Sequence, residues 1–155
     1  MICPIEGVRI HPLSKYKDRR GWLIELFRSD EIDAEFMPVM SYVSMTHPGV
    51  TRGPHEHKEQ ADLFCFFGPS TFRLYLWDNR NDSPVYRKRF TYDFGEKQPA
   101  LVIVPKGVVH AYKNIGPGEG LVYNAPNRLY AGKDRSEPVD EIRHEESAET
   151  VFRLD

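Results

Sequence analysis

His55 and His57 stand two apart in the stretch GVTRGPHEHKEQADLF, Gly49 to Phe64, with Arg52 before them and Asp62 after. Residues two apart on a strand share a face, so both rings can enter one site. A third imidazole, His110, follows the Pro105-x-Gly107 turn in VPKGVVHAYKN, on a predicted strand. Two chemistries suit such a set. A neutral imidazole, with an ordinary pKa of about 6.5, is a base near neutral pH. The same rings with Asp62 could instead hold a divalent transition metal. Taken by itself, the doublet also suits a structural role, two half-buried strand histidines bonded to their neighbours.

The elements that would position these groups are short. Apolar runs rich in Val, Phe, Tyr and Ile alternate with clusters of Gly, Pro, Asn and Asp, which is the pattern of many short strands. About eight to ten strands are expected, in an all-β domain. The turn GPS at Gly68 to Ser70 is predicted to close a hairpin between ADLFCFF and STFRLYLWD. In the second of these, Phe72, Leu74 and Leu76 fall on one face, and Arg73, Tyr75 and Trp77 on the other. Strands at this spacing must pair or cover their edges, and a small jelly roll does so while leaving a mouth between its sheets. Polar side chains should converge in that mouth. A single domain is expected over 1–130, and the charged, Pro-broken 131–155 reads as a surface arm.

Composition narrows the partners. A chain of 155 residues with 21 basic and 23 acidic residues, net −2, carries no basic stripe for nucleic acid or an anionic membrane. Cys3 and Cys65 have no spacing of a disulfide framework, so a reducing, cytoplasmic setting is expected. The N-terminal MICPIEGVRIHPL has no signal-peptide pattern, and no window approaches the length of a membrane span.

Gly49, His55-x-His57 and Asp62, followed by the Pro-x-Gly turn and His110, resemble the two cupin motifs, with Asp62 standing where the pattern has Glu. The cupin jelly roll is the fold this implies. A longer resemblance runs through five segments in order from Asp18 to Tyr123: KDRRGWLIELFRSDE, GVTRGPHEH, LYLWDNRNDSPVY, VPKGVVHAY and LVYN. They are similar to segments of the dTDP-4-dehydrorhamnose 3,5-epimerase family. The resemblance implies a homodimer with strands exchanged at the N-terminus, acting without a cofactor on a nucleotide-linked 4-keto-6-deoxy sugar for surface polysaccharide. It implies His55 as catalytic base, Tyr123 as the acid on the opposite face of the ring, and Arg20, Glu25 and Arg52 as substrate contacts. Guanidinium forks suit a diphosphate. His110, if no metal is bound, would line the pocket as a hydrogen-bonding group.

The chain departs from the family at the point that matters for charge. An enolate needs positive charge or donors close to its oxygen. Asp62 occupies the position of a family Lys, and His57 replaces what is usually Gln. The family draws an Asp from its C-terminal region to orient the base, and no counterpart is placed here. Both departures lean toward a metal held by His55, His57, Asp62 and His110, which could itself polarise the ketone. Three readings therefore stand: a metal-independent epimerase or related isomerase, a metal-dependent cupin enzyme, and a sugar-nucleotide binding module that has lost catalysis.

Overall fold

The computed structural model describes residues 1–154. Twelve strands carry the fold: β1 (Arg9–Pro12), β2 (Lys15–Asp18), β3 (Gly21–Ile24), β4 (Tyr42–Thr46), β5 (Thr51–Glu56), β6 (Asp62–Phe66), β7 (Thr71–Asp78), β8 (Arg89–Gly95), β9 (Ala100–Val104), β10 (Val108–Asn114), β11 (Gly120–Asn124) and β12 (Ile142–Arg143). Among the described residues the only helices are three single turns of 3-10 type. The count exceeds the expected eight to ten because β2 is short and polar, β3 spans only four residues and β12 only two.

Two five-stranded antiparallel sheets face each other, one ordered β1-β9-β6-β11-β4 and the other β12-β5-β10-β7-β8. The β2–β3 hairpin forms a separate two-stranded sheet. This is the jelly-roll arrangement of a cupin. Side-chain alternation explains its core. Phe64 and Phe66 on β6, Phe72, Leu74 and Leu76 on β7, Val108 and Tyr112 on β10, and Val122 on β11 all project between the sheets and pack together. Burying each large apolar side chain stabilises the fold by about 1.5–3 kcal/mol. The alternate residues are buried too. Leu63, Cys65, Leu101 and Ile103 pack outside the first sheet, and Tyr75, Trp77, Val109 and Ala111 outside the second.

That double burial corrects one expectation. β6 and β7 do not form a hairpin: β6 pairs with β9 and β11, whereas β7 pairs with β8 and β10. The GPS turn carries the chain from one sheet to the other. A strand apolar on both faces is an interior strand, and neighbouring interior strands in sequence can belong to opposing layers.

The charged C-terminal segment is also more than a surface arm. β12 adds a strand to β5, pairing Ile142 with Glu56 and Arg143 with His55. Farther on, Phe152 is buried against Trp77, with ring centroids 5.9 Å apart. His144 Nε2 donates to Glu56 Oε1 at 2.9 Å, and its ring centroid stands 4.6 Å from that of Phe152. A few apolar and polar anchors spaced along a hydrophilic sequence suffice to dock it.

Candidate active site

The inward positions become polar at one end of the sandwich. Going around it, β4 contributes Tyr42, β5 contributes His55, β6 contributes Asp62, β10 contributes His110 and β11 contributes Asn124. Asp62, His110 and Asn124 are in phase with the apolar inward residues of β6, β10 and β11, so the alternation that builds the core also builds this side of the ring. His57 joins it from just beyond β5. His55 and His110 are directly opposite across the β5–β10 ladder, their rings edge to face with centroids 4.4 Å apart. Gly53 makes that approach possible. Its φ is +83°, and a Cβ there would lie 2.6 Å from the His110 carbonyl oxygen.

Asp62 is the hub of the group. Its Oδ2 lies 3.0 Å from His57 Nε2 and 3.2 Å from His110 Nε2. Its Oδ1 accepts from Gln60 Nε2 at 3.0 Å and from Asn124 Nδ2 at 3.3 Å. Both rings are held from behind as well: Nδ1 of His57 donates to the Asp140 carbonyl, and Nδ1 of His110 to that of Val108 at 3.0 Å. The ligand atoms of His55, His57, Asp62 and His110 all lie within 4.8 Å of one another.

Charge in this group follows from its contacts. Burial opposes the ionised form of Asp62, but the close His110 ring and the hydrogen-bonded His57 outweigh it and hold the carboxyl well below its usual range. Burial also works against a charged His57, yet the bond to Asp62 and the carbonyl behind it push its pKa up to about 9. His55 goes the other way. Burial and the neighbouring His110 push it down to about 2, so it stays neutral.

A pocket of about 950 Å³ opens over this ring. Arg52 lines it, with Nε donating to Thr46 Oγ1 at 3.0 Å and Nη2 to the Met45 carbonyl at 2.9 Å. His55 and His57 line it too, and His110 lies immediately beneath. The rest of the wall comes from residues that sequence reasoning missed. Tyr42 is there from β4, its hydroxyl accepting from Asn124 Nδ2 at 2.6 Å. Tyr130 and Arg128 come from the segment after β11, and Pro138 to Glu141 with Arg143 from the C-terminal segment. The clearest signal for Tyr130 is the turn cluster NAPN that precedes it, since residues that leave a strand at a barrel mouth are placed to rim it.

Three expected site residues lie elsewhere. Tyr123 neighbours the inward Val122 on β11 and therefore projects outward, where it packs against the cluster of Ile32, Leu63 and Cys65 on the far side of the sheet. The expected acid thus points away from His55. Arg20 sits in the exposed β2–β3 turn, bound to Asp18 through Nε at 3.0 Å and Nη2 at 2.6 Å. Glu25 lines a separate cleft of about 230 Å³ beside His11, Tyr16 and Phe27. Neither reaches the large pocket within one chain, because the hairpin that carries them belongs to neither main sheet.

Relatives place this geometry in a family. The probable low-salt glycan biosynthesis epimerase Agl13 of Haloferax volcanii is 40% identical over 135 residues, covering 86% of this chain and 85% of that protein. The spore coat polysaccharide biosynthesis protein SpsL of Bacillus subtilis is 38% identical over 112 residues, covering 72% and 73%. Among solved structures, a dTDP sugar isomerase from Desulfovibrio desulfuricans G20 superposes with a TM-score of 0.83 at 18% identity, over 100% of this chain and 94% of that one. The Legionella pneumophila enzyme RmlC, solved with dTDP-4-keto-L-rhamnose, gives 0.74 at 19% identity, over 90% and 73%. These two share the fold. A model of the dTDP-4-dehydrorhamnose 3,5-epimerase family matches residues 3–141, nearly the whole of the jelly roll and its polar ring, and the chain is a member of that family.

Proposed function

We propose that the protein is an epimerase of a nucleotide-linked 4-keto-6-deoxy sugar, serving the synthesis of a surface polysaccharide. The observation that supports this most is the state of His55: a neutral imidazole on the pocket wall, with no hydrogen bond among the described residues to occupy its lone pair. A ketone at carbon 4 acidifies the hydrogens on carbons 3 and 5. His55 removes one of them, leaving an enolate, and a donor on the opposite face returns a proton with inverted configuration. Hydrogen leaves and returns as a proton, so the balance requires no redox partner.

The donor in this reading is Tyr130. Its side chain is half-exposed at the pocket rim, and its backbone N–H is anchored on Met40 Sδ at 3.2 Å. The competing phenols are engaged, Tyr42 by Asn124 and Tyr112 by Ser44 at 2.9 Å. Arg52 and Arg128 supply cations for the diphosphate. Proton removal by a neutral imidazole leaves an enolate whose oxygen must find positive charge nearby.

Arg20 and Glu25 would enter the site from a second copy. The β2–β3 hairpin exposes Tyr16, Trp22 and Leu23, each more than half accessible, which supports an exchanged homodimer. Free Cys3 and Cys65 fit a reducing compartment such as the cytoplasm. Among the described residues no helix is long and apolar enough to cross a membrane.

The test is incorporation of solvent deuterium. With dTDP-4-keto-6-deoxyglucose in heavy water, NMR should show deuterium at carbon 3 or 5, and His55→Asn should abolish it, a loss of at least about 100-fold. Saturable binding of the sugar nucleotide without any exchange would sink the epimerase and leave a binding module.

A further inference from the structure

We infer that His57 Nε2, His110 Nε2 and Asp62 Oδ2 form a site for one divalent transition metal ion, at the place where the family carries a Lys. The inference deepens the epimerase reading, because it supplies positive charge beside the sugar ketone. The site itself stands on geometry that is independent of that reading.

Both rings are built as metal-binding histidines are built. Each donates Nδ1–H to a main-chain carbonyl, His57 to Asp140 and His110 to Val108. That fixes the tautomer that leaves Nε2 with a lone pair and turns it inward. The two Nε2 atoms then stand 3.0 and 3.2 Å from one oxygen, Asp62 Oδ2. For metal–ligand bonds of about 2.0–2.2 Å at angles of about 90–110°, neighbouring ligand atoms lie roughly 3.0–3.4 Å apart. The observed spacings fall within that range. The carboxylate is steadied from its other oxygen by Gln60 and Asn124, an outer shell of the usual kind.

One atom lacks a partner. His110 Nε2 is buried and, despite its proximity to Asp62, makes no aligned hydrogen bond. Buried polar atoms are rarely left so, and a cation between ring and carboxylate would satisfy it. Two imidazoles and a carboxylate on one side, with the pocket on the other, leave coordination positions facing the substrate. The donor set suits Fe(II), Mn(II), Co(II), Ni(II) or Zn(II). His55 is excluded from the ligand set here because no outer contact orients its ring, and it remains the base. Exchanging a Lys for Asp62 removes one positive charge and creates the means to recruit another.

The rival is a proton, carried by His57 and shared with Asp62. Titrating chelator-treated, tag-free protein with Co(II), followed by visible d–d absorption and calorimetry, separates the two. One equivalent per chain should bind, with the spectrum of mixed nitrogen and oxygen ligation. Asp62→Asn and His110→Gln should each weaken binding at least 100-fold, beyond the roughly 10–100-fold that losing an outer-shell partner costs. His55→Asn should bind within about threefold of wild type, and an equal loss there would overturn the three-ligand assignment. Failure of the wild-type chain to bind any of the five ions at millimolar concentration would overturn the site. If that metal-free chain still incorporates deuterium into the sugar, the epimerase reading survives. Binding of the ion without deuterium incorporation would do the reverse.

Discussion

The main-chain oxygen of Asp140 accepts the Nδ1 proton of His57, and so ties the C-terminal segment to the floor of the pocket. The side chain of the same residue holds the loop that carries the ring. Its carboxylate accepts from the backbone amides of Lys58, Glu59 and Gln60, each at 2.9 Å.

Removing that carboxylate should therefore cost both stability and activity. Asp140→Ala leaves three amides without their acceptor and should destabilise the fold by about 1–3 kcal/mol, with Asp140→Asn intermediate. The main-chain bond to His57 remains possible, but from a looser loop, so kcat/KM should fall about 10-fold or more. Thermal unfolding and deuterium exchange measure the two effects. An Asp140→Ala protein that melts with wild type would show that the loop is held by other means.

The tyrosines at the pocket divide the mechanism. Tyr130→Phe should keep deuterium exchange at the first carbon while slowing formation of inverted product about 100-fold. Tyr42→Phe removes a hydroxyl already engaged by Asn124 and should lower both together, by about 10-fold or less. Tyr123→Phe changes a residue packed outside the sheet and should leave both intact. Product analysis by NMR distinguishes the three, and the opposite order for Tyr130 and Tyr42 would reassign the donor.

Phe152 tests how firmly the last residues are docked. It is buried to 4% exposure against Trp77 and His144. Phe152→Ala should cost about 3 kcal/mol, seen as a shift in the urea midpoint. It should also raise KM, because β12 and the wall formed by Pro138 to Glu141 depend on the same anchor. An unchanged midpoint would mean that the segment is not held there in solution.

Asp78 gives a pH dependence with a definite sign. Buried at the end of β7, it accepts from Arg80 Nε at 2.8 Å and Nη2 at 2.7 Å. Burial raises its pKa, but Arg80 and Ser83 more than offset this and leave it below the ordinary carboxylate value. A depressed native pKa contributes stability above the unfolded value of about 3.9, lost as pH falls through the native one. Asp78→Asn should therefore melt several degrees below wild type at pH 7, and the gap should close below about pH 4. A gap independent of pH would assign the loss to packing.

Much of this was legible in the sequence, and for identifiable reasons. Alternation in Phe72 to Trp77 gave the two faces of β7 correctly, because packing on both sides leaves few alternatives. The spacing of His55, His57, Asp62 and His110 brought four residues together because Asp62 and His110 are in phase with the core positions of β6 and β10, and a two-residue step keeps His57 on the side of His55. Tyr123 was misplaced for the same kind of reason: one step along a strand reverses the face, and a motif match alone carries no phase. Asp140 was beyond reach and Tyr130 only hinted at by the turn before it, since the places of both depend on irregular backbone. The GPS turn looked like a hairpin because turn chemistry reports that a chain reverses, not which sheet it joins.

β5 gains its second neighbour from β12, made more than eighty residues later. On the ribosome the jelly roll can close around its aromatic interior while this edge of the pocket is still inside the exit tunnel. Closure of the core and completion of the pocket thus depend on different parts of the chain, and a chain released without β12 would keep the strands of its aromatic interior while lacking one wall of the pocket.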